Sequence, residues 1–169
     1  MFYLHLLVKM NVQYLKSFSD ILKRIDVSFY GLKNPNHLFS GTIGAHSRHI
    51  IEFYEQFLNN YQLREINYDA RERDLNLETN KELAENQLLK LIKKLEITVL
   101  NEDEIVATII NQQKFISSIG RELSYLAEHT VHHFALIRFI AESNGMLFNE
   151  FPEFGIAQST NLFRLSQGN

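Results

Sequence analysis

The densest chemistry in the chain lies in Glu128 to Phe134, Glu-His-Thr-Val-His-His-Phe, which holds three of the seven histidines within five residues. On a helix, His129 and His133 are one turn apart, so both imidazoles leave the same face and can meet one ion. Two ligands are too few for a stable site. A second dense source is Gly-Ala-His-Ser-Arg-His, which offers His46 and His49, whereas His5 and His37 stand alone. Convergence therefore requires two histidine-bearing helices packed side by side.

The apolar pattern supports that geometry. From Ile119, a step of about 100 degrees per residue puts Leu123, Leu126, Thr130, Phe134, Ile137, Ile140 and Ala141 in one stripe, with Arg121 and Glu128 opposite. His133 falls within the stripe and His129 on its flank. His132 lies about 60 degrees further toward the polar side, so it is expected to be solvated or to support the ligands from behind. On the earlier helix, His46 lies about 60 degrees nearer the apolar centre than His49, and both stay candidates.

Four amphipathic segments must position these groups. Val12, Leu15, Phe18, Leu22 and Ile25 define a first helix over residues 11–27, ended by Gly31, Asn34 and Pro35. A second, from near Thr42 to about Asn60, carries His46 and His49. Tyr61 to Asn76 is charged and lacks a stripe, and it reads as a long loop or an irregular start to the next helix. A third helix follows over residues 78–95, with Leu83, Leu88, Leu91, Ile92 and Leu95. Ile97, Val99, Ile105, Ala107 and Ile109 then alternate around a polar turn at residues 101–104, predicting a short β-hairpin. Ser117 and Ser118 are caps for the fourth helix, which stops near Gly145. The aromatic residues 148–163 read as a tail packed across the helices, or as a dimer interface.

Composition narrows the function. The 169 residues suffice for one domain, residues 1–169, with a real core, and 45 % are hydrophobic, including 13 Phe and 7 Tyr. A net charge of −3 without a basic run gives no reason to expect nucleic acid or an anionic membrane surface as a partner. With no cysteine there is neither a disulfide framework nor a thiolate ligand, which fits a cytoplasmic protein. No apolar run approaches the roughly 20 residues that span a bilayer. The apolar opening lacks a basic start and a cleavage site; residues 1–10 read as an N-terminal extension, with Met10 an alternative start.

Three imidazoles on a divalent transition metal leave open positions for hydrolysis or for metal-assisted transfer. General bases are poor: Glu52 and Glu128 are expected to point away from the histidines, and Asp69 or Tyr68 would have to reach in from the loop. The competing reading of any one histidine is a hydrogen-bonded core residue. The charged string from Asn67 to Asp74 reads as a solvated, salt-bridged loop, with an anion grip by Arg71 and Arg73 as the alternative.

Four blocks together resemble the DinB-like proteins of the DinB and YfiT superfamily. They are Thr-Ile-Gly-Ala-His-Ser-Arg-His at 42, Asn-Tyr-Asp-Ala-Arg-Glu-Arg-Asp at 67, Arg-Glu-Leu-Ser-Tyr-Leu-Ala-Glu-His-Thr-Val-His-His at 121 and Phe-Gly-Ile-Ala-Gln-Ser-Thr at 154. Four helices with mostly modest connections already suggest an all-α four-helix bundle with the hairpin inserted before its last helix, and the resemblance implies the same bundle. It also implies a site holding one divalent transition metal (Zn, Ni or Fe) through His49, His129 and His133. His46 stays an alternative ligand, or a donor that orients one. Members include thiol-dependent transferases and metal-dependent hydrolases acting on small molecules, and homodimers are frequent. Here Phe134, Ala135 and Leu136 replace the family's frequent Arg-Gly-Gln after the double histidine, which leaves the small-molecule substrate open. The expectation is a metal-dependent hydrolase or thiol transferase, with a non-catalytic, metal-stabilised binding or stress-response module as the alternative.

Overall fold

The computed structural model describes residues 2–33, 41–101 and 104–168. His37, the Asn34–Pro35 breaker and two residues of the expected turn at 101–104 lie outside them. The chain is mostly helical with one small sheet. Helix α1 runs from Phe2 to Arg24, starting nine residues before the expected start at residue 11. The stripe itself is as read: Val12, Leu15, Phe18, Leu22 and Ile25 are all buried. A short α2 (Val27–Tyr30) follows, then α3 (Ile43–Asn60).

Residues 61–76, expected to be a loop or an irregular start to the next helix, are ordered by local side-chain caps. A 3-10 turn leads into strand β1 (Glu65–Asn67), and Asn67 Oδ1 accepts from the Asp69 and Ala70 amides to start a second 3-10 turn. Asp74 then caps α4 (Leu75–Thr79), and Asn80 caps α5 (Lys81–Ile97) through the Leu83 amide at 3.0 Å. On α5 the expected stripe is buried except at Leu83, which is 36 % exposed.

The hairpin exists, but not where the alternation placed it. Ile97 ends α5 and Val99 is exposed, outside any strand. The two strands are β2 (Ile105–Ile110) and β3 (Gln113–Ser118), paired antiparallel from Ile105↔Ser118 to Ile110↔Gln113. Asn111 and Gln112 turn the chain with φ of 50° and 65°, the left-handed pair that a two-residue hairpin needs. β1 adds in parallel on the other edge of β2, making a three-stranded sheet in the order β1-β2-β3.

Ser118 closes β3 and caps α6 (Ile119–Ser143), its hydroxyl accepting from the Arg121 amide at 3.2 Å. Gly145, at φ +90°, takes the left-handed conformation just beyond that helix. Beyond it, Phe148 and Phe154 are buried, stacking on each other and, through Phe154, on Phe134 of α6. The tail then departs from the expectation of a packed lid: α7 (Gln158–Ser166) leaves Leu162, Phe163 and Leu165 exposed.

Helices α1 and α3 each pack against both α5 and α6. Between α1, α3 and α6 the core carries a polar link. Asn11, fully buried, donates to the Leu7 and Leu123 carbonyls and accepts from the Tyr54 hydroxyl at 2.6 Å, and the Thr130 hydroxyl lies 3.2 Å from the same Tyr54 oxygen. Every member is satisfied, so the link costs little to bury and fixes the helices relative to one another.

At the start of α3, Gly44 lets α4 come close: a Cβ there would stand 2.0 Å from the Glu78 carbonyl oxygen and 2.9 Å from the Tyr30 ring. The neighbour is backbone, which cannot swing aside. Gly44→Ala is therefore expected to destabilise the protein by about 1–3 kcal/mol through overpacking. Urea unfolding would read it as a lower midpoint at unchanged slope; an unchanged midpoint would show that α4 yields freely.

Candidate metal centre

The site is built by two capped helices. Thr42 caps α3, its hydroxyl accepting from the Ala45 amide at 2.9 Å, and Ser118 caps α6. His46 faces His133 while His49 faces His129, so the two helices run antiparallel where they meet. His49 Nε2 lies 2.9 Å from His129 Nε2, and His133 Nε2 lies 3.2 Å from the same atom.

His49, His129 and His133 thus offer one nitrogen each, all within 4.8 Å of one another, and could hold a metal ion. Two nitrogens bound at about 2.0–2.1 Å to one cation are separated by about 3 Å, which matches the two short separations. The donor set also fits, because neutral imidazole suits late first-row divalent ions.

The remaining sequence candidates take other places. His46 is not in the convergent group: its Nδ1 lies 2.9 Å from His133 Nδ1, on the far side of that ring. His132 is exposed. His5 lies on α1.

Burial sets the protonation of the cluster. Loss of water contact pushes His46 and His129 down to about 4 and His49 to about 3, with neighbouring His132 and Arg71 adding to the fall. His133, the most buried, is lowered by the same desolvation and then by His49 and His129. All four are neutral near pH 7, the form a metal requires.

Aromatic rings close the site. Phe53 stacks on His129 at 4.4 Å and lies 4.4 Å from the His49 ring; Tyr125 stacks on His129 from another side at 5.4 Å. Behind Phe53, Tyr68 stacks at 4.9 Å with an interplanar angle of 9°. Its hydroxyl donates to the buried Glu122 at 2.8 Å, and burial followed by that carboxylate raises the phenol well above its usual value. Tyr68 therefore reaches a carboxylate and not an imidazole. Asp69 is exposed and accepts from the Asn111 amide, also away from the histidines.

Two residues are more buried than their sequence reading implied. Glu52, expected to point away from the histidines, bonds none of the three rings but is 3 % exposed; it pairs with Arg48 at 3.2 Å and Arg71 at 3.5 Å and accepts from the Asp74 amide at 2.8 Å. Arg71 is not solvated in a loop. Its side chain is 11 % exposed, its Nη1 donates to the Tyr68 carbonyl at 2.9 Å, and its Nη2 lies 3.2 Å from His49 Nδ1. The guanidinium also covers Phe53 at 4.9 Å. Arg73 and Glu128 are exposed, as solvated groups should be. Among the described residues no carboxylate is hydrogen-bonded to His49, His129 or His133. The one sequence signal for Glu52 was its position four residues after Arg48, an ion-pair spacing.

Comparison with known proteins adds a partial likeness. FK506-binding protein 5 of Rhizopus delemar is 34 % identical over 103 residues, which are 56 % of this chain and 26 % of that protein. The chain thus covers about a quarter of that relative's length. No family model matches the chain, and no solved structure matches it. No helix among the described residues is long and apolar enough to cross a membrane.

The depressed histidines make stability pH-dependent in a definite direction. The unfolded chain takes up protons near pH 6.5, whereas the folded cluster resists until about pH 4. Their contribution is present above about pH 6.5 and is lost as the pH falls toward 4. Metal-free protein should therefore melt at a steadily lower temperature from pH 7 to pH 4, and a flat profile there would mean the rings are solvated.

Proposed function

We propose that the chain is a DinB-like four-helix bundle, formed by α1, α3, α5 and α6, that binds one divalent transition metal through His49, His129 and His133. The observation that carries this reading is the approach of three imidazole Nε2 atoms from two separate helices, one ring buried and two half-buried. Such an approach of unprotonated nitrogens is unfavourable unless a proton or a cation lies between them. When bound, the ion supplies a Lewis acid with open positions, able to lower the pKa of a coordinated water or thiol.

The chain's own residues then have assignable roles. His46 Nδ1 bonds His133 Nδ1 and fixes the orientation of that ring, the kind of support that metal-ligating histidines generally receive. Phe53 and Tyr125 both stack against His129 and shield part of it from water. The Glu52 carboxylate holds Arg48 and Arg71 beside the site, offsetting their positive charge against an incoming cation.

The reaction we assign is metal-dependent hydrolysis or thiol transfer on a small molecule. The lack of a carboxylate in contact with the imidazoles favours a second reading, a non-catalytic module in which the ion fastens α3 to α6. Elemental analysis of untagged protein tests the centre itself. We expect one metal per chain, and loss of it in the His49→Ala, His129→Ala, His133→Ala triple variant. A variant that keeps its metal rules out these ligands. Turnover of esters, amides or low-molecular-weight thiols by the loaded protein, absent from the metal-free form, separates the enzyme from the module.

A further inference from the structure

His49 is held at both ring nitrogens, and the two contacts make opposite demands. Its Nε2 belongs to the convergent group, while its Nδ1 lies 3.2 Å from Arg71 Nη2. A guanidinium can only donate, so at this contact Nδ1 must be the acceptor. A neutral imidazole carries a single proton, which then sits on Nε2 and points at His129 Nε2, 2.9 Å away. That arrangement satisfies both ends of the ring without a metal.

Metal binding through Nε2 needs the other tautomer. The proton must move to Nδ1, where it would meet the N–H of Arg71, donor against donor. His133 has no such conflict, because the group facing its Nδ1 is His46, an imidazole that can donate or accept there. Arg71 is thus the contact that cannot serve both states. The structure also shows where its head can go. Arg71 Nε is buried without a hydrogen-bond partner, and Glu52 Oε2 lies 3.5 Å from it, slightly too far for a bond but correctly charged.

We propose that Arg71 is a positioning residue that holds His49 in the tautomer unable to bind a metal, so that loading the centre requires Arg71 to release His49 toward Glu52. This rests on the metal reading above. Because Arg71 Nη1 also bonds the Tyr68 carbonyl, release tugs on the segment that carries Tyr68, whose ring backs Phe53. Metal uptake is thereby coupled to the outer wall of the site.

Charge repulsion by Arg71 would also weaken cation binding, so the variants must separate charge from hydrogen-bond direction. Zinc would be titrated against a chromophoric chelator with metal-free wild type and the Arg71→Lys, Arg71→Met and Arg71→Gln variants. Gln can accept from the Nδ1–H of a loaded His49, whereas Met is neutral but cannot. We expect Gln to bind on the order of tenfold tighter than Met, with Lys and wild type weaker than both. Repulsion alone would make Met and Gln equal, and that result overturns the proposal. Nitrogen-15 NMR of histidine-labelled, metal-free protein gives an independent readout: the His49 proton should be on Nε2 in the wild type and redistribute toward Nδ1 in Arg71→Met. A wild-type proton already on Nδ1 also overturns it. Zinc uptake by none of the four proteins fails the metal reading itself, and is distinct from uptake by all four without this ranking.

Discussion

The registration of α3 against α6 is the constraint from which the site follows. Imidazole nitrogens 2.9 and 3.2 Å apart leave little tolerance: sliding one helix along the other by a single residue, about 1.5 Å, would break the cluster. Apolar packing alone tolerates such adjustments, but the buried polar link does not. Tyr54 of α3 reaches Asn11 of α1 and Thr130 of α6, the residue next to His129. An unpaired buried hydroxyl or amide costs about 1–3 kcal/mol, so a shifted register would lose stability at several atoms together. The link is specific where the surrounding Leu, Ile and Phe contacts are merely cohesive.

Around that fixed contact the interior does two things. It removes water from the four histidines, which keeps them uncharged and available as donors near neutrality. It also admits two arginines beside them, at positions where an isolated cation would be costly, because Glu52 sits between Arg48 and Arg71. Arg48 reaches on to Glu78 at the end of α4, so the same ion pairs tie the segment after β1 to the face of α3. Site electrostatics and local architecture share one set of residues.

Much of this was legible in the sequence where one period dominates. The stripes of α1, α3 and α6 were readable because each helix buries one face. His129 and His133 were readable because a one-turn spacing has one geometric meaning. The choice between His46 and His49 was not settled by the wheel, since a ligand at the flank of a stripe can turn inward as well as one at its centre; the motif pointed to His49, the residue found in the cluster. The burial of Glu52 and Arg71 was not readable, because an ion pair can be buried or solvated and the residue types look alike in either case. The hairpin was misplaced for another reason: Asn111-Gln112 lacks the glycine that usually marks a tight turn, while Ile97 and Val99 happen to alternate at the end of a helix. β1, three residues long, is recognised only through its partner strand.

That third strand has a consequence for how the molecule is made. β2 and β3 adjoin through a two-residue turn, so their ladder closes a very short loop and can form early. β1 pairs with β2 in parallel across about forty intervening residues that include α4 and α5, and its closure entropy falls due before any contact rewards it. β1 carries the chain directly into Tyr68 and Arg71. The histidine contacts between α3 and α6 span eighty residues or more, a longer closure still, so the segment that walls the site can be in place before the two helices bring their imidazoles together.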